Sequence, residues 1–288
     1  MNDQAAGLRR KIEISNHPRQ AKTLSIISGK GGVGKSNIAL NFSLELMKHN
    51  LKVIIFDLDV GMGNINILLG LQPEKSIVDL LNDELSIDEV IEHGPGNLSY
   101  IAGGSGLTNF LKLDDGKKNH FYKQYDELVK MYDYIIFDMG AGVTTESLFF
   151  ILASDECIVV TTPEPTSITD AYSMIKQVVH YGGTMPIRII LNRAKSQKEG
   201  MQALERFQNV VDQFLKIKTN AMGILPEDQT VSQAVIKQTP YTLLNEKSKV
   251  AKSMRLLTEN YVSSSTDTKY IETDSFIQKF KKLWRGKI

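Results

Sequence analysis

Residues 28–37 read Ser28-Gly29-Lys30-Gly31-Gly32-Val33-Gly34-Lys35-Ser36-Asn37. An apolar run from Thr23 to Ile27 precedes them, and a helical pattern from Asn37 to His49 follows. Strand, glycine-rich turn, Lys-Ser and helix is the order in which a phosphate-binding loop is built. The glycines let backbone N–H groups turn onto phosphate oxygens, and the start of the helix adds its dipole. In such a loop Lys35 reaches the β- and γ-phosphates, and Ser36 offers its hydroxyl to Mg²⁺. Lys30 is not needed to hold phosphates in its own loop, so its presence calls for a separate reason.

Outward from the loop, the chain alternates short apolar runs with helical stretches. Val53-Ile54-Ile55-Phe56, Tyr134-Ile135-Ile136-Phe137, Cys157-Ile158-Val159-Val160 and Arg188-Ile189-Ile190-Leu191 read as strands buried on both faces. Ser167 to His180 and Gln197 to Leu215 read as helices between or after them. The expected fold class is therefore α/β, an open and mostly parallel sheet with helices on both faces. Ligands of such sheets bind beyond the carboxyl ends of the strands. Two runs end there in acids: Phe56-Asp57-Leu58-Asp59, and Asp138 followed by Met139-Gly140-Ala141-Gly142. A strand-terminal Asp before a glycine can hold Mg²⁺ and sense a γ-phosphate through a mobile backbone.

Composition narrows the classes. A 288-residue chain that is 42% hydrophobic and 23% charged can bury a sizeable core. One cysteine, Cys157, supplies neither a disulfide framework nor a Cys-only metal site, and fits a reducing cytoplasm. No stretch approaches the roughly 18 apolar residues of a spanning helix, and the N-terminus lacks an apolar signal core. The net charge of +1 is unevenly spread. Lys279, Lys281, Lys282, Arg285 and Lys287 lie together without an acid; taking those five from 34 basic residues leaves 29 against 33 acids, a balance of −4. A chain that coats DNA is more often basic throughout, so no specific nucleic-acid partner is expected.

The pattern Lys-Gly-Gly-x-Gly-Lys-Ser resembles the deviant Walker A motif of the MinD/ParA class of P-loop ATPases. That resemblance implies ATP/ADP with Mg²⁺ as cofactors and ATP hydrolysis as the activity. It implies that Lys30 reaches across a homodimer interface to phosphates held by the other subunit, where a cation stabilises charge only once two protomers have closed. Lys30, Lys35 and Asp59 are then the catalytic residues, with Asp59 positioning the attacking water. Ser36, Asp57 and Asp138 organise Mg²⁺, directly or through water. Gly29, Gly31, Gly32, Val33, Gly34 and Asn37 complete the phosphate cradle. Asn192-Arg193 and Pro226-Glu227-Asp228 resemble the family's adenine-binding positions, although ordinary turns also account for both. The chain has no Asn-Lys-x-Asp sequence of the kind that reads guanine, which favours ATP.

Two tails flank this body. At 100° per residue Phe276, Ile277, Phe280, Leu283 and Trp284 fall within an arc of about 120°, with Lys281, Lys282 and Arg285 outside it. An aromatic-aliphatic face with a basic flank is the pattern of a helix lying in an anionic membrane surface, although the same face can dock on its own protein. At the other end Ala5, Leu8 and Ile12 have helical spacing. Asp3-Gln4-Ala5-Ala6-Gly7-Leu8-Arg9 resembles the activator motif of the FlhG family, the MinD-like ATPases of flagellar placement and number. The resemblance implies that Asp3, Gln4, Ala5, Leu8 and Arg9 contact and stimulate an FlhF-type GTPase, with flagellar switch proteins as further partners.

The expected organisation is a partner-binding tail over 1–22, an ATPase body over 23–262, a linker over 263–274 and a membrane-binding helix over 275–288. The protein is expected in the cytoplasm, peripheral at the inner face of the cell membrane when ATP-bound. Other readings are a ParA-like DNA-partitioning ATPase, a MinD-type division-site regulator, or a chiefly protein-interaction role. A nitrogenase-iron-protein relative would need paired cysteines, and a dinucleotide oxidoreductase has no need of Lys35-Ser36.

Overall fold

The computed structural model describes residues 21–59, 64–82, 85–104, 114–266 and 275–286. The expected GTPase-binding residues Asp3, Gln4, Ala5, Leu8 and Arg9, and most of the expected linker, lie outside them.

The apolar runs form β1 (Lys22–Ser28), β2 (Val53–Leu58), β5 (Tyr134–Ala141), β6 (Glu156–Thr161) and β7 (Ile187–Ala194). Three strands complete the sheet at its edges: β3 (Glu92–His93), β4 (Ser99–Ile101) and β8 (Asn220–Pro226). The order is β3-β4-β2-β5-β1-β6-β7-β8, parallel except where β3 runs against β4. Short edge strands carry little apolar signal of their own, which is why β3 and β4 escape a pattern-based reading.

Helices cover both faces. Along β2 and β5, Phe56, Ile135 and Phe137 face one core while Ile55, Tyr134 and Ile136 face the other. One layer is built on α1 (Lys35–Met47) and α2 (Asn64–Leu69). The opposite layer contains α3 (Ile77–Asn82), α4 (Ile87–Val90), α5 (Asp115–Met131), α6 (Thr145–Ala153), α7 (Pro165–His180) and α8 (Gln197–Leu215). α9 (Gln229–Ile236), α10 (Tyr241–Leu244) and α11 (Lys249–Thr266) return to the α1 layer. α11 continues through Thr266, so the body extends past the boundary that the serine-rich composition suggested.

β1 lies between β5 and β6, and the chain builds outward from it in both directions. That makes the end of β1 the topological switch point, where an open α/β sheet leaves a crevice for ligand. The phosphate loop occupies this place.

The last element, α12 (Phe276–Gly286), changes the expected picture of the tail. Its apolar face is turned inward: Phe276 and Ile277 are each 4% exposed and Phe280 is fully buried, all within the α5/α6 core. Leu283 and Trp284 pack against the same core, and Lys281 lies over the Tyr122 ring of α5. The apolar residues read as membrane-facing, Phe276, Ile277, Phe280, Leu283 and Trp284, are thus packed on the protein itself, because α5 and α6 present matching rings.

Candidate functional site

α1 begins directly from the loop. Its N-cap, Gly34, has φ 93° and makes no side-chain capping bond. A positive φ is costly for a residue with a Cβ, and an uncapped helix start leaves backbone N–H groups for an anion. By contrast Asp114, Thr144, Ser196 and Asp228 each accept a backbone N–H at the start of their helices. Gly29 is required for a different reason: a Cβ there would stand 2.2 Å from backbone atoms of Asp170 in α7. The loop is therefore pressed against α7 on one side and open to ligand on the other.

The acids converge as expected. Asp57 and Asp138 are register partners on β2 and β5. Asp138 is fully buried, and its Oδ1 lies 2.5 Å from Lys35 Nζ. Burial pushes its carboxyl above the usual range, against the pull of Lys35. Its Oδ2 is buried with no hydrogen-bond partner. The Asp57 carboxyl is raised to about 6, first by burial and then by the charge of Asp138. Oδ1 of Asp57 accepts the Asp59 N–H, while Oδ2 accepts those of Asn64 and Ile65. Asp57 therefore fastens the start of α2 to the sheet, and any influence it has on a cation passes most directly through water.

These residues fit a nucleotide with Mg²⁺. Ser36, Asp57 and Asp138 are oxygen donors, the kind a hard divalent cation takes, and Asp138 Oδ2 is left without a hydrogen-bond partner. Among the described residues no cluster of three or more His, Cys, Asp or Glu forms a cage for a metal.

Asp59 leans over the end of β5, close enough that a Cβ on Gly140 would lie 3.5 Å from its Oδ1. Asn64 Nδ2 donates to Asp59 Oδ2 at 2.8 Å. Sequence reading missed Asn64; its signal is an amide residue opening the short apolar helix Ile65 to Leu69. Asn64→Ala removes that bond while keeping the backbone N–H to Asp57. The expected result is a fall of about ten- to a hundred-fold in kcat from a misplaced Asp59, with nucleotide affinity within about two-fold. Steady-state kinetics beside equilibrium binding of a fluorescent ATP analogue check it.

Lys30 finds other partners. Its side chain is 45% exposed, with Nζ 3.6 Å from Glu164 Oε2 and 3.4 Å from Thr166 Oγ1 at the start of α7. Of the two segments resembling adenine contacts, Asn192-Arg193 reaches the phosphate loop. Asn192 Nδ2 donates to the Val33 carbonyl, and the Arg193 guanidinium donates to that of Gly32. Glu227 is exposed and its N–H bonds the Ala194 carbonyl, joining the Pro226 turn to β7. Asp228 holds helices in place, since Oδ1 caps α9 at Thr230 and Oδ2 accepts the Val250 N–H in α11.

A family profile described as "AAA domain" matches residues 21–185. The Antiactivator FleN of Pseudomonas aeruginosa is 32% identical over 224 residues, covering 78% of this chain and 79% of that protein. The Flagellum site-determining protein YlxH of Helicobacter pylori is 32% identical over 243 residues, covering 82% of each. The chain belongs to the FlhG (FleN/YlxH) family of MinD/ParA-class ATPases. Its fold agrees: the septum site-determining protein MinD of Pyrococcus horikoshii, solved with Mg-ADP, superposes with a TM-score of 0.69 at 25% identity. That match covers 87% of this chain and all of the MinD chain. As an FlhG-family enzyme the protein binds ATP and Mg²⁺ and hydrolyses ATP to ADP and phosphate.

Proposed function

We propose that the protein is an ATP-timed switch for flagellar placement and number, dimerising on ATP and cycling between the cytoplasm and the inner membrane surface. The observation that carries this reading is Lys30, a second loop lysine that is exposed and meets Glu164 and Thr166, while Lys35 takes Asp138. A cation in that position serves a second nucleotide better than its own. Lys35 would hold the β- and γ-phosphates, Ser36 and Asp138 the cation, and Asp59 the attacking water. Bound Mg²⁺ would supply electrostatic stabilisation of the charge developing on the transferred phosphoryl group.

Closure of two protomers would bring two C-terminal helices to one face of a dimer. Burying an aromatic or aliphatic side chain of the size of Phe276, Ile277 or Phe280 stabilises by roughly 1.5–3 kcal/mol, so a docked α12 competes with a lipid surface. Two helices acting together gain about 10²–10⁴ in avidity, and each basic residue near an anionic surface adds roughly 1 kcal/mol. Residues 1–22 would meanwhile present Gln4, Leu8 and Arg9 to an FlhF-type GTPase and stimulate it. No helix among the described residues is long and apolar enough to cross a membrane, which suits attachment by a peripheral helix.

Co-sedimentation with anionic liposomes tests the proposal, with Asp59→Ala slowing hydrolysis. Pelleting with Mg·ATP but not Mg·ADP is the expected result. Lys30→Ala should still bind ATP yet stay monomeric, pellet weakly and hydrolyse about 10²–10³-fold more slowly, as when one preorganised charge donor is lost. Equal pelleting in both nucleotide states would break the link between loop and tail.

A further inference from the structure

In a regular strand successive side chains leave on opposite faces of the sheet. At the end of β7 two neighbours depart from that rule, since Asn192 and Arg193 both reach the phosphate loop. The pairing of β7 with β8 shows how. Leu191 is the register partner of Ile224 and Ala194 that of Pro226, so β7 carries one residue more than β8 over this stretch. A bulge of this kind re-aims a side chain beside a functional site. Arg193 completes the turn in a left-handed conformation, φ 57°, which is costly for a residue with a Cβ. Asn192 Oδ1 accepts the Arg193 N–H at 2.9 Å and steadies that turn.

The two side chains take hold of adjacent peptides of the loop. Asn192 Nδ2 lies 2.8 Å from the Val33 carbonyl oxygen, and Arg193 Nη2 lies 2.7 Å from that of Gly32. A trans peptide points its C=O and its N–H in opposite directions. Holding the Gly32 carbonyl therefore turns the Val33 N–H to the other side, and holding the Val33 carbonyl does the same for the Gly34 N–H. Left-handed glycines stand on either side of Val33, with φ 78° at Gly32 and 93° at Gly34. Turns of that kind gather successive N–H groups into an anion-binding concavity. The fit is close, because a Cβ on Gly34 would stand 2.5 Å from Asn192 Nδ2. Both ends of the Asn192 amide are thus engaged with the chain itself.

We propose that Asn192 and Arg193 are positioning residues for the phosphate loop. They form a clamp on the Gly32 and Val33 carbonyls that keeps the Val33 and Gly34 N–H groups set for phosphate, whatever base is attached. In sequence the pair resembles adenine contacts; in the fold its bonds go to the loop. A glycine-rich loop has much conformational freedom to lose when it closes on an anion. A loop already held in the binding geometry loses less, and binds more tightly for it. The bulge that ends β7 therefore contributes to phosphate affinity from a strand that does not carry the loop. The inference rests on nucleotide binding at the phosphate loop, and not on dimerisation or membrane attachment.

Binding of three ligands to the full-length protein separates a clamp from a base reader: ATP, inosine triphosphate and inorganic tripolyphosphate, each with Mg²⁺. Inosine triphosphate lacks the adenine amino group, and tripolyphosphate has no base. Each is measured by displacement of a fluorescent ATP analogue whose own affinity is titrated directly for every variant. Arg193→Gly removes the guanidinium and at the same time relieves the left-handed strain. Its Tm should stay within about 2 °C of wild type, while affinity falls about ten-fold for all three ligands alike. Asn192→Ala, which takes away no charge, should weaken all three by about three- to ten-fold. A loss confined to ATP, with the other two ligands bound as by wild type, would make the pair base readers and overturn the clamp. Unchanged tripolyphosphate binding in both variants would overturn it too. So would a loss of affinity matched by a fall in Tm in both variants, since the pair would then only support β7. A wild-type protein that binds none of the three would remove the nucleotide site itself, and the clamp with it.

Discussion

Lys35→Ala is expected to lose Mg·ATP binding and, in the same variant, a large part of the protein's stability. The two losses have one origin. Asp138 is fully buried and Lys35 Nζ is 2.5 Å from it, so truncating the lysine strands a carboxylate in a low-dielectric interior. Breaking a buried pair by removing one member costs about 3–5 kcal/mol. At about 2–4 °C per kcal/mol for a chain of this order of size, Tm should fall by about 6–20 °C. The pH dependence identifies the cause. Burial already raises the folded-state pKa of Asp138 above its ordinary value, and loss of Lys35 raises it further. A raised folded-state pKa gives stability that is present at low pH and disappears as pH rises through that value. The deficit should therefore be smaller at pH 5 than at pH 8. Adding Asp138→Asn to Lys35→Ala should recover much of Tm and none of the nucleotide binding. Thermal denaturation at the two pH values, with equilibrium binding of the ATP analogue, checks each part. A Lys35→Ala protein as stable as wild type at pH 8 would contradict the buried pair.

Phe280→Ala carries the second large effect. Phe280 is fully buried, with rings of Phe149, Phe150, Phe276 and Trp284 between 5.1 and 6.0 Å away. Truncating a buried phenylalanine costs about 3–5 kcal/mol. Here the loss falls on a terminal helix joined to the body through residues 267–274, so the expected response is undocking of α12 rather than unfolding of the sheet. Trp284 emission should shift to the red without nucleotide, and limited proteolysis should cut between 266 and 276 while the remainder of the chain resists. Liposome binding should fall as well, because Phe280 belongs to the face that would enter the lipid. Asp155→Asn provides the contrasting case. It weakens the contact with Lys279 at 2.8 Å from the body side and leaves the helix sequence intact, so undocking should come with stronger pelleting. A Phe280→Ala protein that keeps wild-type Trp284 emission would mean that the ring cluster does not hold the helix.

The class of the protein is written in short, contiguous stretches of the chain. A phosphate loop is local: its glycines, lysine and serine lie together in residues 29–36, and the strand and helix beside it show their own hydrophobic patterns. The strand-terminal acids Asp57 and Asp138 were legible for the same reason, since each ends an apolar run. The short edge strands β3 and β4 were not, because a two- or three-residue strand leaves no period to read. Asn64 was missed because its partner, Asp59, matters only once α2 folds back to the sheet. Where α12 comes to rest is a property of the folded body and not of the helix. An amphipathic face specifies only that it must leave water; whether it meets lipid or protein depends on the complementary surface. That surface is assembled from Tyr122 and Tyr125 of α5 and Phe149 and Phe150 of α6, brought together from separate parts of the chain by the sheet beneath them.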